Sequence, residues 1–319
     1  MSGSVVAQST TQPYSLHKLV AMAETKRVPE SSGVIASRVS KDIFWTHNDS
    51  GRYAPRVWAF RLSKADRTRG VAKHMGYVEL VGAAIIDWED IAVGPKNRIY
   101  ILDGGDGIPC RRTNKKIYRF VEPRIDPAGA AIALKKPCDS TRFEYPDLSN
   151  PSRPAGSNDQ RYDAESLFVH PTNGDIYLVT KHDNRNKASA RIYKLPASKI
   201  KWNTGAINVL QFVADVSSKV PNMPVAADID KNGRRVVIRN YASAYEFTLS
   251  QDMPFDTIFQ RIPKVISLSF ELQGEGICYG PNGDLITTTE GVTSPHFKIY
   301  VTPRRADKVH SPTSTASVP

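Results

Sequence analysis

Short clusters of carboxylates, histidines and amides recur along the chain. They are His47-Asn-Asp-Ser-Gly, Asp87-Trp-Glu-Asp, Asp103-Gly-Gly-Asp-Gly, Asp163-Ala-Glu-Ser, Lys181-His-Asp, Arg239-Asn-Tyr, Gly274-Glu-Gly and Glu290-Gly. Carboxylates gathered within a few ångströms raise one another's pKa unless a cation compensates. Hard oxygen donors of this kind suit Ca²⁺, with Mg²⁺ as the alternative. Asp49, Glu89, Glu165 and Glu275 are the candidate metal ligands. A cation held there would polarise a carbonyl or phosphoryl oxygen and acidify a water. His47 and His182 are the candidate catalytic groups that would move the proton. Asn48, Asp87, Asp103, Asp163, Lys181, Arg239 and Glu290 are the candidate substrate-binding groups. Two other patterns are weak. His47, Asp49 and Ser50 hold the residue types of a hydrolase triad, but their adjacency in sequence opposes triad geometry. The Asp103 loop resembles a phosphate cradle only loosely, because no helix follows it.

A repeated unit must position these groups. Its first strand is read in Ser32-Gly-Val-Ile-Ala, Glu89-Asp-Ile-Ala-Val, Glu165-Ser-Leu-Phe-Val, Ala227-Asp-Ile-Asp and Glu275-Gly-Ile-Cys-Tyr. Its second is read in Ile43-Phe-Trp-Thr-His, Ile99-Tyr-Ile-Leu-Asp, Ile176-Tyr-Leu-Val-Thr, Val236-Val-Ile-Arg and Leu285-Ile-Thr-Thr-Thr. Turns such as Asn232-Gly and Asn282-Gly between apolar alternations are hairpin signals. A third strand carries an aromatic residue at 58, 118, 193, 245 and 300, at spacings of 60, 75, 52 and 55 residues. A fourth leads onward, as in Gly76-Tyr-Val-Glu-Leu and Ile207-Asn-Val-Leu-Gln-Phe. Four strands per ~50–60 residues is the period of a propeller blade.

The pattern predicts an all-β chain forming one β-propeller over residues 14–303. Residues 1–13 read as a flexible leader and 304–319 as a disordered tail. Five four-stranded blades are expected. Strand Leu16–Met22 would complete the last one and close the ring. Six blades is the alternative, with the extra one hidden in 121–160. In such a blade the start of strand one and the end of strand two reach the same face of the disc. All the polar clusters above then meet at one channel mouth, while the opposite face receives ordinary turn residues. Polar residues at blade junctions also tie neighbouring blades together, which is the structural alternative for each of them.

The chain has 319 residues and a net charge of +11. Its basic residues are dispersed as pairs, without a run of five, so a nucleic-acid partner is not expected. No apolar run approaches the ~18–20 residues needed to span a bilayer. The three cysteines, Cys110, Cys138 and Cys278, lack metal-binding spacing. In an exported protein Cys110 and Cys138 are a disulfide candidate and Cys278 a buried thiol. In a cytosolic one all three are ordinary small residues.

The motifs Trp45-Thr-His-Asn-Asp-Ser-Gly, Asp87-Trp-Glu-Asp-Ile-Ala-Val-Gly-Pro, Asp163-Ala-Glu-Ser and Ala244-Tyr-Glu resemble those of a group of exported, largely uncharacterised bacterial propeller proteins. The likeness spans roughly residues 28–303 and implies secretion or a periplasmic location, although no signal peptide is visible. More distantly, the arrangement is similar to calcium-dependent propeller hydrolases of the gluconolactonase and paraoxonase type. Those have six blades and hold calcium in the channel through Glu, Asn and Asp. The expectation is a monomer acting as a metal-assisted hydrolase of a small ester, lactone or phosphoester. The alternative is a non-catalytic module that binds a small molecule, carbohydrate, peptide or protein at the mouth.

Overall fold

The computed structural model describes residues 13–108, 110–147, 150–154, 162–183 and 187–305. The expected leader and tail therefore lie outside the described residues, except at their inner ends. There, Tyr14 bridges Arg304, and Arg305 N donates to Pro13 O at 2.8 Å.

The protein is all-β, with several sheets and one short α-helix, α1 (Lys64–Arg69). The described chain opens with strand β1 (Lys18–Ala23). Antiparallel four-stranded units follow. The first comprises β2 (Ser31–Ala36), β3 (Ile43–Asn48), β4 (Arg56–Arg61) and β5 (Val71–Val81). The second comprises β6 (Trp88–Gly94), β7 (Arg98–Asp103) and β8 (Lys116–Val121), then skips β9 (Ile132–Pro137) and ends on β10 (Asp139–Glu144). β9 instead pairs in parallel with β5 of the first unit. A small hairpin, β11 (Pro146–Asp147) with β12 (Asn150–Pro154), precedes the third unit. That unit comprises β13 (Tyr162–Val169), β14 (Ile176–Asp183), β15 (Arg191–Leu195) and, beyond β16 (Ile207–Val209), β17 (Gln211–Asp215). The fourth unit is β18 (Ala226–Ile229), β19 (Arg235–Arg239), β20 (Ser243–Thr248) and β21 (Lys264–Ser267). The last is β22 (Gly274–Tyr279), β23 (Leu285–Thr289) and β24 (Lys298–Thr302).

β1 completes the last unit by pairing antiparallel to β24, with Lys18 opposite Val301. It also touches β5 in parallel, Met22 against Val71, so the first and last units form one continuous sheet. Two strand expectations need correction. The run Ile207–Phe212 is not one fourth strand. It breaks at Leu210, and Ile207–Val209 joins β10 of the preceding unit in parallel. Segment 121–160 adds strands to the first two units and one hairpin, and no further four-stranded unit occurs there among the described residues.

Each unit has a two-sided apolar sheet that needs a cover on both faces. Five buried apolar clusters supply it, and each lies between successive units. Trp45, Met75, Trp88 and Tyr118 pack between the first and second. Leu102, Phe143, Leu167 and Tyr193 pack between the second and third. Phe168, Tyr177, Val236 and Phe247 lie between the third and fourth. Val237, Ile266, Ile277 and Leu285 lie between the fourth and fifth. Phe44, Trp58, Ile286 and Ile299 lie between the fifth and the first.

The first strands also touch one another directly. Ser32 Oγ on β2 donates to Glu89 O on β6 at 2.5 Å. Asp90 on β6 accepts from Leu167 N on β13 at 2.8 Å and from Ala227 N on β18 at 3.2 Å. Asp228 on β18 accepts from Tyr279 N on β22 at 2.8 Å. β22 then returns to β2 at Gly276, where a Cβ would stand 2.8 Å from Ser32 O. Asp90 and Asp228 are therefore ring ties, which is the structural role open to any carboxylate in this pattern.

Candidate metal centre

The first strands of four units carry an extra residue near their start. The pairing register shifts between Ser31 and Val34, between Trp88 and Asp90, around Ala164, and between Gly274 and Gly276. A bulge re-aims a side chain that would otherwise alternate with its neighbours. The residues set there are Glu89, Glu165 and Glu275, with Ser32 in the first unit. The fourth unit has Ala227 and an unshifted register. The bulge explains the split within Asp87-Trp-Glu-Asp. Glu89 joins the carboxylate cluster, while Asp90 binds backbone amides of neighbouring strands.

One oxygen each from Glu89, Asp163 and Glu165 lie within 4.8 Å of one another, and all three residues are buried. Lys181 Nζ stands 3.1 Å from Glu165 Oε1. Although burial opposes its charge, Glu165 and Glu275 hold this ammonium well above the usual lysine range. Burial, reinforced by neighbouring carboxylates, pushes Glu89 and Glu165 well above the usual carboxylate range. Burial also raises Glu275, against the pull of Lys181 and Arg239, and its Oε2 has no hydrogen-bond partner among the described residues. Burial, with Glu290, Asp87 and Glu275 nearby, pushes Asp49 up to about 7. Burial and Glu275 push Glu290 up to about 7. Burial and Asp163 push Asp87 up to about 6. Asp163 goes the other way. Burial, the largest single influence, raises it, but His182, Glu165 and the Asp106 amide together outweigh that and hold it low. Asp49, Asp87, Glu89, Asp163, Glu165, Glu275 and Glu290 thus share one electrostatic environment, in which the ammonium of Lys181 contacts Glu165.

The loop after β7 forms one wall. Asp106 N donates to Asp163 Oδ1 at 2.7 Å. A Cβ on Gly105 would collide with Glu89 Oε1 and Asp87 Oδ2, so glycine lets the backbone reach the carboxylates. Asp103 lies beneath as a latch. It accepts from Arg112 Nη2 at 2.5 Å and from Asp87 N at 3.1 Å. Asp106 pairs with Lys115 and accepts from Arg112 N.

Several candidates are engaged elsewhere. Asn48 donates to Arg27 O at 3.0 Å and accepts from Glu30 N at 3.1 Å. Arg239 is fully buried, paired with Glu271 Oε2 at 2.7 Å and bonded to Gly276 O at 3.2 Å. His47 is sealed against Trp88, with ring centroids 5.7 Å apart. Burial pushes it down to about 4, and among the described residues its ring bonds only Asn48 O. His182 faces an acceptor on each side, Asp163 Oδ2 at 3.0 Å from Nε2 and Asp183 O at 3.0 Å from Nδ1. Two acceptors require two ring protons, so His182 is an imidazolium that fixes Asp163.

The expected pairing of Cys110 with Cys138 is not present. Both are free thiols in different surroundings. Cys110 Sγ lies 3.7 Å from His182 Nδ1, and Cys138 Sγ donates to Val81 O at 3.5 Å. Cys110, His182 and Asp163 therefore form a chain of contacts. Burial pushes the Cys110 thiol up to about 12, so it is not a thiolate nucleophile at neutral pH. Tyr241 is not among the candidate residues that the sequence pattern singles out, yet its ring faces Lys181 at 5.8 Å, beside Glu275. Its position at the end of β19, beside Arg239, was the available signal.

No family model matches the chain, and no curated protein matches it. Among solved structures, an iodide structure of a Trichoderma reesei carbohydrate-active enzyme of family AA12 aligns with a TM-score of 0.46 at 10% identity, covering 95% of this chain and 100% of that one. A calcium structure of the same family and organism gives 0.43 at 10%, covering 92% and 96%. A nidogen/laminin complex gives 0.38 at 10%, covering 85% and 72%. Similarity at this level carries no functional argument.

Proposed function

We propose that the chain is a single five-bladed β-propeller whose channel mouth binds a divalent cation, Ca²⁺ ahead of Mg²⁺, and uses it to hydrolyse a small ester, lactone or phosphoester. The clusters between successive units and the contacts among first strands support the propeller reading. The observation that carries the site is the buried triangle of Glu89, Asp163 and Glu165. Carboxylates this close, with one ammonium among them, favour an added cation over mutual repulsion. Glu275 Oε2 is a further ligand oxygen without a hydrogen-bond partner among the described residues. In this reading, the cation would polarise a substrate oxygen and acidify a water.

The protein groups then have distinct tasks. Glu89, Asp163 and Glu165 hold the cation, and the His182 imidazolium keeps Asp163 ionised. Lys181 neutralises the remaining charge. Asp49 and Glu290, poised near neutral pH, accept the proton. They replace His47 and His182 in that role, since one is sealed and the other doubly bonded. Export to the periplasm or beyond and a monomeric state belong to this reading, and rest on the motif resemblance alone.

The commitment of both histidines to protein contacts favours a second reading, a module that binds a carbohydrate, peptide or other ligand at the mouth without turnover. Calcium titration by calorimetry and a hydrolysis panel with and without chelator separate the two. Binding with chelator-sensitive turnover, both lost in Glu165→Gln, supports the hydrolase. Binding without turnover supports the module. No cation binding overturns the metal site.

A further inference from the structure

A second opening lies at the other end of the first strands. Four residues beyond Glu275 on β22 stands Tyr279, roughly 13 Å further along the strand. Here the hairpin ends of the units surround a cavity of about 320 Å³. That is within the range of small-molecule sites, roughly 300–1,000 Å³. Its walls include Ile35, Ile229 and Tyr279, and its rim carries Arg38, Lys231 and Arg235. The sequence reading expected only ordinary turn residues on this face.

The charges here are unevenly committed. Arg235 is consumed within the protein, 3.1 Å from Asp230 and 3.3 Å from Glu246. Asp230 is saturated by Arg234 N at 2.8 Å and Arg235 N at 3.0 Å besides. Asp228 accepts from Ile229 N and Tyr279 N, both at 2.8 Å; burial pushes its carboxyl up to about 7 against the pull of those amides and of the more distant Arg38 charge. Arg38 and Lys231 remain. Neither forms an ion pair with a carboxylate among the described residues, and both are exposed. Arg38 comes from the first unit and Lys231 from the fourth, so the two cations approach from units that are not neighbours. Two unpaired cations above apolar walls match a compact apolar body with an anionic head.

We propose that this cavity binds a small organic oxyanion, a carboxylate or phosphate monoester, with its head between Arg38 and Lys231 and its body against Ile35, Ile229 and Tyr279. Benzoate, phenyl phosphate and inorganic phosphate serve as probes, titrated by calorimetry into the full chain. Benzoate binding alone identifies a carboxylate site, and phenyl phosphate binding alone a phosphate site. Inorganic phosphate should bind more weakly than phenyl phosphate because it lacks the apolar body. Arg38→Ala and Lys231→Ala should each weaken the bound probe by about 5–10-fold, and Arg38→Lys by less. Both side chains are exposed and unpaired, so these variants should fold. Glu165→Gln should leave probe binding unchanged, which separates this site from the carboxylate mouth. Absence of saturable binding by all probes up to about 10 mM overturns the proposal. So does binding that survives in the Arg38→Ala/Lys231→Ala double variant.

Discussion

Stability should fall as the pH rises from about 6.5 to about 8 in the presence of a chelator, and added Ca²⁺ should reverse that trend. Asp49 and Glu290 are both pushed up to about 7 in the fold. Unfolded, they return to ordinary values near ~4. The folded state therefore binds more protons between those values. The stability this contributes is complete below the unfolded pKa and is lost as the pH rises through about 7. For one group at 7, the step from about 6.5 to about 8 integrates to roughly 0.8 kcal/mol. Both side chains are partly exposed, and solvent screening reduces the sum for the pair to roughly 1 kcal/mol. A change of that size lowers Tm by roughly 1–2 °C. His182, raised chiefly by its bond to Asp163, acts with the same sign. His47 acts with the opposite sign at lower pH. Burial depresses it to about 4, so its contribution is lost as the pH falls below ~6.5. One such group does not offset two raised carboxylates, so the chelated protein should go on gaining stability as the pH falls below about 6.5, toward about pH 5. Protons compete with the cation for these carboxylates, so the about 2.7 kcal/mol added by a cation at 100 times its Kd is available mainly at the alkaline end; it exceeds the alkaline loss, and Ca²⁺ should turn the decline into a rise. The measurement is Tm against pH by calorimetry, with chelator and with Ca²⁺. A flat or rising profile above about pH 6.5 in chelator would refute the charge assignment. So would an unchanged profile in Asp49→Asn/Glu290→Gln. An equal Ca²⁺ response in Glu89→Gln/Glu165→Gln would refute the cation site.

Three further outcomes follow from other contacts. Asp90→Ala strands the amides of Leu167 and Ala227 inside the ring, and should cost about 2–4 kcal/mol in chemical denaturation while Glu89→Gln costs far less. A two-state denaturation curve for Asp90→Ala that matches the parent would remove the ring-tie role. Gly105→Ala drives a methyl into Glu89 and Asp87, so Ca²⁺ affinity should drop by about 10-fold with a small change in Tm; unchanged affinity in calorimetry would place the loop outside the cation site. Unfolding without reductant should expose three titratable thiols, and a count of one would show that Cys110 and Cys138 are joined after all.

The strands were legible in the sequence because their signal is local. Repeated Ile, Val, Tyr and Phe at period two, bounded by Asn-Gly turns, placed the hairpins of Val236 and Leu285 and the aromatic third strands. The closing role of β1 was also visible, since the last unit lacked a strand and the chain start offered one. Pairings that depend on distant segments were not. β9 reaches back to β5, and β16 to β10, as parallel additions with no periodicity to announce them. In the candidate site, residue types at the starts of the first strands identified Glu89, Glu165 and Glu275. Partners did not follow from type alone. The nearest opposite charges of Arg239 and His182 are Glu271 and Asp163, and only the fold shows that these sites are filled.

The difference between neighbouring carboxylates makes the physical point most clearly. Glu89 and Asp90 are adjacent, acidic and both buried. Glu89 lies at the register shift, where its longer side chain joins Asp163 and Glu165. Asp90 resumes the ladder, and its shorter side chain accepts from backbone amides on the first strands of the third and fourth units. One carboxylate joins a cluster of like charges and the other is satisfied by backbone amides. The same division recurs at Glu275, whose following residue is Gly276, small enough to let β2 approach. It fails at Ala227, whose strand has no shift and no glutamate, yet keeps its tie through Asp228. The ties thus persist where the glutamate does not, so closing the ring and gathering charge are separable functions of adjacent positions. Replacing Ala227 by Glu should therefore not enlarge the carboxylate cluster and should destabilise the fold, because no bulge re-aims that position and the charge would enter the apolar cluster of Ile192 and Val236.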